Sequence, residues 1–200
     1  MTRPLDFYFD FSSPYGYFAA TRIDALAAKH GRDVVWHPIL LGIVFKQTGG
    51  QPLPAIPIKG AYALRDIERT ARWFGVAYRP PSRFPISGTA ASRAYYWLEQ
   101  HDHATAKRFA LAAFRAYFAD DRDISSPDAV ADVAQSLGLD RAAVLDGISN
   151  AAIKERLRVE VEAAIARGVF GSPYVIADGE PFWGSDRLDQ LERWLATGPW

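Results

Sequence analysis

Residues 10–17 have the sequence DFSSPYGY and lie where a predicted strand meets a predicted helix. The run before them, LDFYFDF at residues 5–11, shows the period of two that is typical of a strand. Residues 18–30 have the pattern of a helix, so Ser12, Ser13 and Pro14 fall at the turn between the two elements. A serine followed by proline is also a common start of a helix, with the serine as N-cap.

The same strand-to-helix turn carries a Cys-x-x-Cys redox pair in thioredoxin-like folds, where the helix N-terminus stabilises the thiolate. This chain has no cysteine. Two alternatives follow: either the site is inactive, or its thiol is supplied by a cofactor.

Composition excludes several classes of function. The 200 residues include 23 basic and 23 acidic side chains without a long run of like charge, so we expect neither nucleic acid nor an anionic membrane surface as a partner. No apolar stretch approaches the roughly 18 residues of a membrane-spanning helix, and residues 1–6 lack the pattern of a signal peptide. Without cysteine, and with four histidines that lack metal-ligand spacing, neither a disulfide nor a metal site is expected. These patterns favour a cytoplasmic protein.

The first 40 residues predict a strand, a helix and a second strand at residues 33–40, where Pro38 indicates an edge or a bulge. Residues 47–60 are rich in Gly and Pro and predict a loop. From there to Gly168 the pattern is helical, with one apolar helix face between residues 106 and 118. Further helix starts are indicated at Ser126-Pro127, Asp140 and Asn150.

Strands return after Gly168. Residues 173–177 and 180–183 predict two strands joined by an Asp178-Gly179 hairpin turn. Ser185 and Asp186 are expected to cap a last helix, whose inward side chains are Leu188, Leu191, Trp194 and Leu195. Because neither end forms a complete sheet alone, the strands of both ends are expected to pair.

The predicted fold class is therefore α/β: a thioredoxin-like βαβ…ββα domain interrupted by a large all-helical insertion. The predicted domain comprises residues 1–45 and 169–200, and residues 46–168 form the loop and the helical insertion.

Three serine-containing turns hold the candidate binding residues. Ser13 is either only an N-cap or a donor to a thiol held above the helix N-terminus. Pro173 is either an ordinary strand start or, in a thioredoxin frame, a cis-proline that exposes the backbone of Ser172 to an extended peptide. Ser185 and Asp186 are either caps or a clamp for a carboxylate and an ammonium group.

Glutathione, a tripeptide with a thiol, two carboxylates and an amine, has the groups that these turns require. Lys59 is a further candidate for pairing with a carboxylate, although a lone lysine is usually solvated. The aromatic residues are more often core than cofactor-binding, and the sequence does not identify which of them line a substrate pocket.

Four stretches together resemble the 2-hydroxychromene-2-carboxylate isomerases and the related kappa-class glutathione transferases. They are FYFDFSSPY at residues 7–15, PILLGIVFK at 38–46, GVFGSP at 168–173 and DGEPFWGSDRL at 178–188. The likeness covers nearly the whole chain in order. It implies a thioredoxin-like fold with a helical insertion, a homodimer, and glutathione as cofactor.

The resemblance also implies roles for individual residues. Ser13 matches the serine that hydrogen-bonds the glutathione sulfur, and Lys59 the lysine near the glycyl carboxylate. Ser172, before Pro173, matches the residue whose backbone pairs with the cysteinyl part, although an aliphatic residue is usual there. Ser185 and Asp186 match the γ-glutamyl clamp.

Two further departures are Gly50 and Ser87, and the latter concerns the substrate more than the glutathione site. Gly50 stands where relatives often have a glutathione-contacting Asn, and Ser87 where isomerases tend to have an Asn near the substrate.

The hypothesis is thus a glutathione-dependent isomerase of aromatic hydrocarbon catabolism. It would interconvert 2-hydroxychromene-2-carboxylate, a small aromatic substrate, and trans-o-hydroxybenzylidenepyruvate, with Ser13 as the catalytic residue. The alternatives are a kappa-like glutathione transferase or peroxidase, and a noncatalytic thioredoxin-like binding domain.

Overall fold

The computed structural model of the protein describes residues 3–200. The strands are β1 (Leu5–Phe9), β2 (Val34–Pro38), β3 (Tyr174–Ala177) and β4 (Glu180–Trp183). The helices are α1 (Pro14–Ala20), α2 (Ile23–Lys29), α3 (Leu41–Thr48), α4 (Lys59–Phe74), α5 (Thr89–Glu99), α6 (His103–Phe118), α7 (Pro127–Ser136), α8 (Arg141–Ser149), α9 (Ala151–Ala166) and α10 (Leu188–Thr197). Short 3-10 turns at Leu53–Ala55 and Ser185–Arg187 precede α4 and α10.

These strands form one sheet in the order β2-β1-β3-β4. β1 pairs in parallel with β2, with Leu5 opposite Val34, and antiparallel with β3, with Phe7 opposite Val175. β3 and β4 form an antiparallel hairpin. Strands from the two ends of the chain therefore meet in one sheet, which confirms the predicted α/β, thioredoxin-like fold class.

The predicted hairpin turn and the predicted edge position of Pro38 are confirmed; both follow from the backbone preferences of individual residues. Asp178 and Gly179 both have positive φ, at 55° and 95°, as a two-residue hairpin requires. Pro38 ends β2, an edge strand, where its missing N–H costs no sheet hydrogen bond. β1 ends at Phe9 rather than at Phe11, because the Asp10 N–H bonds to the Ser172 hydroxyl and leaves the sheet pattern.

The core joins the sheet to the helical part of the chain. The ring of Phe9 lies 5.4 Å from that of Trp36 on β2 and 5.5 Å from that of Phe114 on α6, measured between centroids. The predicted apolar face of α6 is buried throughout: Ala106, Phe109, Ala110, Ala113, Phe114, Tyr117 and Phe118. Since both parts share this core, the division at residues 46 and 168 stays a prediction.

The predicted caps of the helical part are confirmed. Ser126 accepts a hydrogen bond from the Ala129 N–H at 3.2 Å, and Asp140 and Asn150 cap α8 and α9 in the same manner. α9 ends at Ala166, slightly before the predicted Gly168, whose φ of 82° fits a helix-terminating glycine.

Three element boundaries were predicted wrongly. The helix expected over residues 18–30 begins at Pro14 and is broken between α1 and α2, where the Thr21 hydroxyl donates to the Phe18 carbonyl at 2.8 Å and competes with the helical pattern. The second strand ends at Pro38, and α3 begins three residues later, at Leu41. The loop expected over residues 47–60 includes the end of α3 and the start of α4.

Candidate functional site

Ser13 is the N-cap of α1, as the Ser-Pro pattern predicts. Its hydroxyl oxygen accepts from the Gly16 N–H at 3.0 Å, and Pro14 occupies the first helical position. The same hydroxyl donates to the carbonyl oxygen of Ser172 at 3.0 Å. Ser13 is 6% exposed. The capping function and the expected thiol-binding function thus concern one hydroxyl group.

The peptide bond between Ser172 and Pro173 is cis, as predicted. Gly16 permits its close approach to α1, because a Cβ at this position would lie 2.7 Å from Ser172 Oγ and 3.2 Å from Ser13 Cβ. A larger residue at position 16 would therefore displace the Ser172 hydroxyl, which accepts from the Asp10 N–H, or the cis-proline loop that carries it.

Sequence reasoning missed Asp10, a buried acid directly before this turn. Its carboxylate oxygens accept from the Ser12 N–H at 2.6 Å and from the Leu41 N–H at 2.7 Å. Burial raises the pKa of the Asp10 carboxyl to about 6, although both hydrogen bonds favour the charged form. The available signal was an acidic residue at the end of an otherwise apolar strand.

A cavity of about 980 Å³ opens above the turn. It brings together every residue that the sequence predicts for the site, since its wall includes Ser13, Lys59, Ser172, Pro173, Ser185 and Asp186. Lys59 begins α4 and is exposed. Ser185 is only 3% exposed. Residues from four separate segments of the chain thus converge on one site.

The capping prediction for Ser185 and Asp186 is wrong. The two residues form a 3-10 turn ahead of α10, so the N-cap position of that helix falls on Arg187. Asp186 instead bonds to the Arg187 guanidinium at 2.7 Å. Arg187 also lines the cavity and was not predicted.

Apolar side chains form a second part of the cavity lining, the apolar wall. Ser12 organises part of it, because its hydroxyl oxygen accepts from the Ile86 N–H at 3.1 Å and holds the loop that contains the cis Phe84–Pro85 peptide bond. The sequence pattern did not indicate this second cis-proline. The main apolar side chains of the wall are Phe45, Leu53, Ile67, Phe84 and Ile86.

Gly50 and Ser87, two of the three departures from the family pattern, lie in different places. Gly50 lines the cavity, and a Cβ there would lie 2.6 Å from the Phe45 ring, so a larger residue requires that ring to move. Ser87 instead bonds to the Thr89 hydroxyl at 3.0 Å, next to the start of α5.

Tyr15 and two rim aromatics complete the wall. Tyr15 donates to Asp66 at 2.6 Å, and burial together with this hydrogen bond raises the pKa of Tyr15, so its phenol stays protonated. Phe170 and Trp183 also line the cavity; their rings contact each other, with centroids 4.8 Å apart, and both are substantially exposed.

Among residues 3–200, no group of three or more His, Cys, Asp or Glu side chains is arranged to hold a metal ion. In the same range, none of the helices combines the length and the apolar character needed to cross a membrane.

Comparison with known proteins gives matches over almost the entire chain. The model of the DsbA-like thioredoxin domain matches residues 4–196. A 2-hydroxychromene-2-carboxylate isomerase of Sphingobium xenophagum is 31% identical over 198 residues, which cover 98% of this chain and 99% of that protein. Glutathione S-transferase kappa 2 of Caenorhabditis elegans is 28% identical over 207 residues, covering 97% and 92%. A solved structure of 2-hydroxychromene-2-carboxylate isomerase superposes with a TM-score of 0.86 at 30% identity, covering 96% of this chain and 94% of that one.

The matched range extends from β1 to α10 and therefore includes every segment that contributes to the cavity. The predicted resemblance to the isomerases and the kappa-class transferases is confirmed. The chain belongs to the DsbA-like thioredoxin-domain family and, within it, to the family of the 2-hydroxychromene-2-carboxylate isomerases.

Proposed function

We propose that the protein is a glutathione-dependent isomerase that interconverts 2-hydroxychromene-2-carboxylate and trans-o-hydroxybenzylidenepyruvate. The observation that most supports it is the position of the Ser13 hydroxyl against the cis-proline loop, at the wall of a large cavity, in a chain without cysteine. The names of its isomerase relatives support the same reaction.

The donors and acceptors of the polar wall fit glutathione. Lys59 is exposed at the start of α4 and would hold the glycyl carboxylate. The backbone of Ser172, ahead of Pro173, would pair with the cysteinyl part. Ser185 would bind the γ-glutamyl carboxylate, and Asp186 would bind the γ-glutamyl ammonium group.

Ser13 would stabilise the sulfur as an anion. Its hydroxyl hydrogen, which now points to the Ser172 carbonyl, would turn toward the sulfur, and the carbonyl would be left to accept from the ligand. A thiol with a pKa of about 8.5 is only a few per cent ionised at pH 7, so each unit by which the site lowers that pKa raises the thiolate fraction nearly tenfold. Ser13 is thus proposed as the catalytic residue, although it is not itself the nucleophile.

When bound, glutathione supplies a thiolate whose reversible addition to the conjugated system of the substrate permits rotation about a former double bond. The apolar wall would hold the aromatic ring of the substrate in place during this rotation. Phe45, Phe84 and Ile86 are suited to that contact, since they face the same cavity as Ser13.

The proposal is tested by calorimetry with glutathione and by the isomerase assay with and without it. We expect binding, and isomerisation that requires glutathione but does not consume it. No binding at millimolar glutathione would leave the noncatalytic thioredoxin-like domain as the better description.

A kappa-like transferase or peroxidase is the second candidate, and the similarity to glutathione S-transferase kappa 2 favours it. It would use the same polar wall, but the glutathione would leave in the product. Stoichiometric loss of free thiol during turnover would therefore support the transferase or peroxidase over the isomerase.

A further inference from the structure

Asp10 lines the same cavity as Ser13, and the proposed reaction gives it no role. It follows β1, is 4% exposed and forms part of the cavity wall. A buried acid is costly unless its oxygens are hydrogen-bonded, so the use of those oxygens indicates what the residue does.

All polar groups of Asp10 hold neighbouring segments. Its N–H donates to Ser172 Oγ at 3.0 Å, and its carbonyl accepts from the Ser13 N–H at 2.9 Å. Its carboxylate Oδ1 accepts from the Ser12 N–H at 2.6 Å. Its Oδ2 accepts from the Leu41 N–H at 2.7 Å. One residue thus connects the α1 turn, the cis-proline loop and the first turn of α3.

The bonding pattern favours the ionised form. Each carboxylate oxygen accepts from a backbone N–H. Protonation makes one of these oxygens a weaker acceptor, and an amide in place of the carboxylate would present a hydrogen to one of the two donors. Leu40, at the N-cap of α3, provides no side-chain cap, so Asp10 caps that helix from another segment.

The function proposed above is the basis for a further step: we infer that the Asp10 carboxylate is the positioning residue of the thiol site. In its ionised form the carboxylate holds the Ser12 N–H, directly before Ser13, and the Leu41 N–H at the start of α3. It thereby fixes residue 10, whose backbone groups bond to the Ser13 N–H and to Ser172 Oγ. Protonation of Asp10 weakens one of its two carboxylate hydrogen bonds and loosens this geometry.

The titration of Asp10 can be distinguished from that of the other titratable groups around it. Burial and two backbone hydrogen bonds set its pKa at about 6. Tyr117 of α6 responds to the Asp10 charge, but burial first of all raises the Tyr117 pKa, so this phenol remains neutral over the relevant range. The other charged side chains on the cavity wall are Lys59, Asp66, Asp186 and Arg187.

NMR of the protein without glutathione tests the anchoring directly. In the wild type, the amide resonances of Ser12 and Leu41 should shift with pH with a shared midpoint near 6. In Asp10→Asn both shifts should vanish. Amides that ignore pH between 5 and 7 in the wild type, or that still titrate together in the variant, would overturn the inference.

Activity provides the second readout. At saturating glutathione, kcat of Asp10→Asn should fall by about tenfold or more, since small displacements of a reacting group are costly, while the Kd for glutathione changes less than about threefold. The matched control is Asp102→Asn, because Asp102 also accepts two backbone N–H groups on separate oxygens, at the N-cap of α6. The control should keep its kcat, and an equal fall in both variants would contradict a positioning role.

A second variant serves if Asp10→Asn does not fold. Leu41→Pro removes one donor to Asp10 at the first position of α3, where proline is tolerated, and Leu40 already has the extended backbone that precedes proline. The Ser12 midpoint should then move above that of the wild type, and an unchanged midpoint would count against the inference. A wild type that titrates at Ser12 but binds no glutathione would refute the proposed function and leave the anchoring intact.

Discussion

Two helices of this protein begin with the same dipeptide, α1 at Ser13-Pro14 and α7 at Ser126-Pro127. Both serines have an extended backbone, with φ of −98° and −95°. Each hydroxyl oxygen accepts from the N–H three residues later, at 3.0 Å for Ser13 and 3.2 Å for Ser126. The local structure of the two turns is therefore nearly the same.

Their surroundings differ. Ser126 is exposed, whereas Ser13 is buried, donates to the Ser172 carbonyl and lies next to Asp10 at the cavity wall. The comparison shows that the Ser-Pro pattern specifies a helix cap and nothing more. The chemistry proposed for Ser13 depends on the segments that the fold brings to it.

The largest effect on activity is expected when the Ser13 and Ser126 hydroxyls are removed in separate variants. A hydrogen bond to a charged group contributes about 1.5–3 kcal/mol, so Ser13→Ala should lower kcat by about 10- to 100-fold. Its affinity for glutathione should change much less, because the remaining contacts persist. Ser126→Ala should keep the wild-type kcat. Turnover by Ser13→Ala at the wild-type rate would refute the assignment of Ser13.

Stability measurements separate the effect of losing an N-cap from the effect of losing the hydroxyl proposed to be catalytic. Each alanine variant loses one N-cap, which contributes about 1 kcal/mol. Ser13→Ala also loses the hydrogen bond to the Ser172 carbonyl, so it should be the less stable of the two in chemical denaturation. Both variants are assayed under conditions where denaturation curves show them fully folded, so that a loss of activity in Ser13→Ala alone reports the chemistry and not the stability.

The same contrast explains what the sequence could predict. The caps at Ser13 and Ser126, the Asp178-Gly179 hairpin and the cis bond before Pro173 follow from local backbone rules or from the thioredoxin frame. The function of Asp10 depends on N–H groups from a distant helix, and the break at Thr21 depends on a competing side-chain hydrogen bond. Neither feature has a periodic signal, so both had to be observed. The expected homodimer remains a prediction.

A smaller effect, on glutathione affinity, is expected from a larger residue at position 16, between Ser13 and the cis-proline loop. In Gly16→Ala the new methyl group would lie 2.7 Å from Ser172 Oγ, so it would displace either this hydroxyl, which accepts from the Asp10 N–H, or the cis-proline loop that carries it. Overpacking costs about 1–3 kcal/mol, so glutathione affinity measured by calorimetry should fall by about tenfold. The α7 turn has no such close approach, so this change acts on the feature that distinguishes the two Ser-Pro pairs.

Gly147→Ala is the matched control for Gly16→Ala. A Cβ at Gly147, in α8, would collide with the Trp97 ring, so this variant should lose stability by a similar overpacking cost. Its glutathione affinity should remain that of the wild type. A similar loss of affinity in both variants would indicate a general effect of overpacking and not a specific effect on the loop.

The smallest effect is expected for the pH dependence of the free energy of unfolding. It matters to the comparison because the activities of the serine variants must be measured at a pH where the variants are equally stable. His37 on β2 lies 2.9 Å from Asp6 and 3.6 Å from Glu160 of α9. Burial opposes the charge of His37, but its hydrogen bonds to these two carboxylates outweigh burial and raise its pKa above 6.5. Protonated His37 therefore stabilises the fold.

This stabilisation is complete below the unfolded-state pKa of about 6.5 and is lost as the pH rises through the higher folded-state value. We expect the free energy of unfolding, measured with urea, to fall over that range with the same slope in the wild type, Ser13→Ala and Ser126→Ala. His37→Gln should show a weaker slope. A steeper slope in Ser13→Ala alone would mean that the turn at Ser13, and not the contact between β2 and α9, governs the pH dependence of folding. The activities of the variants would then have to be compared at a single pH.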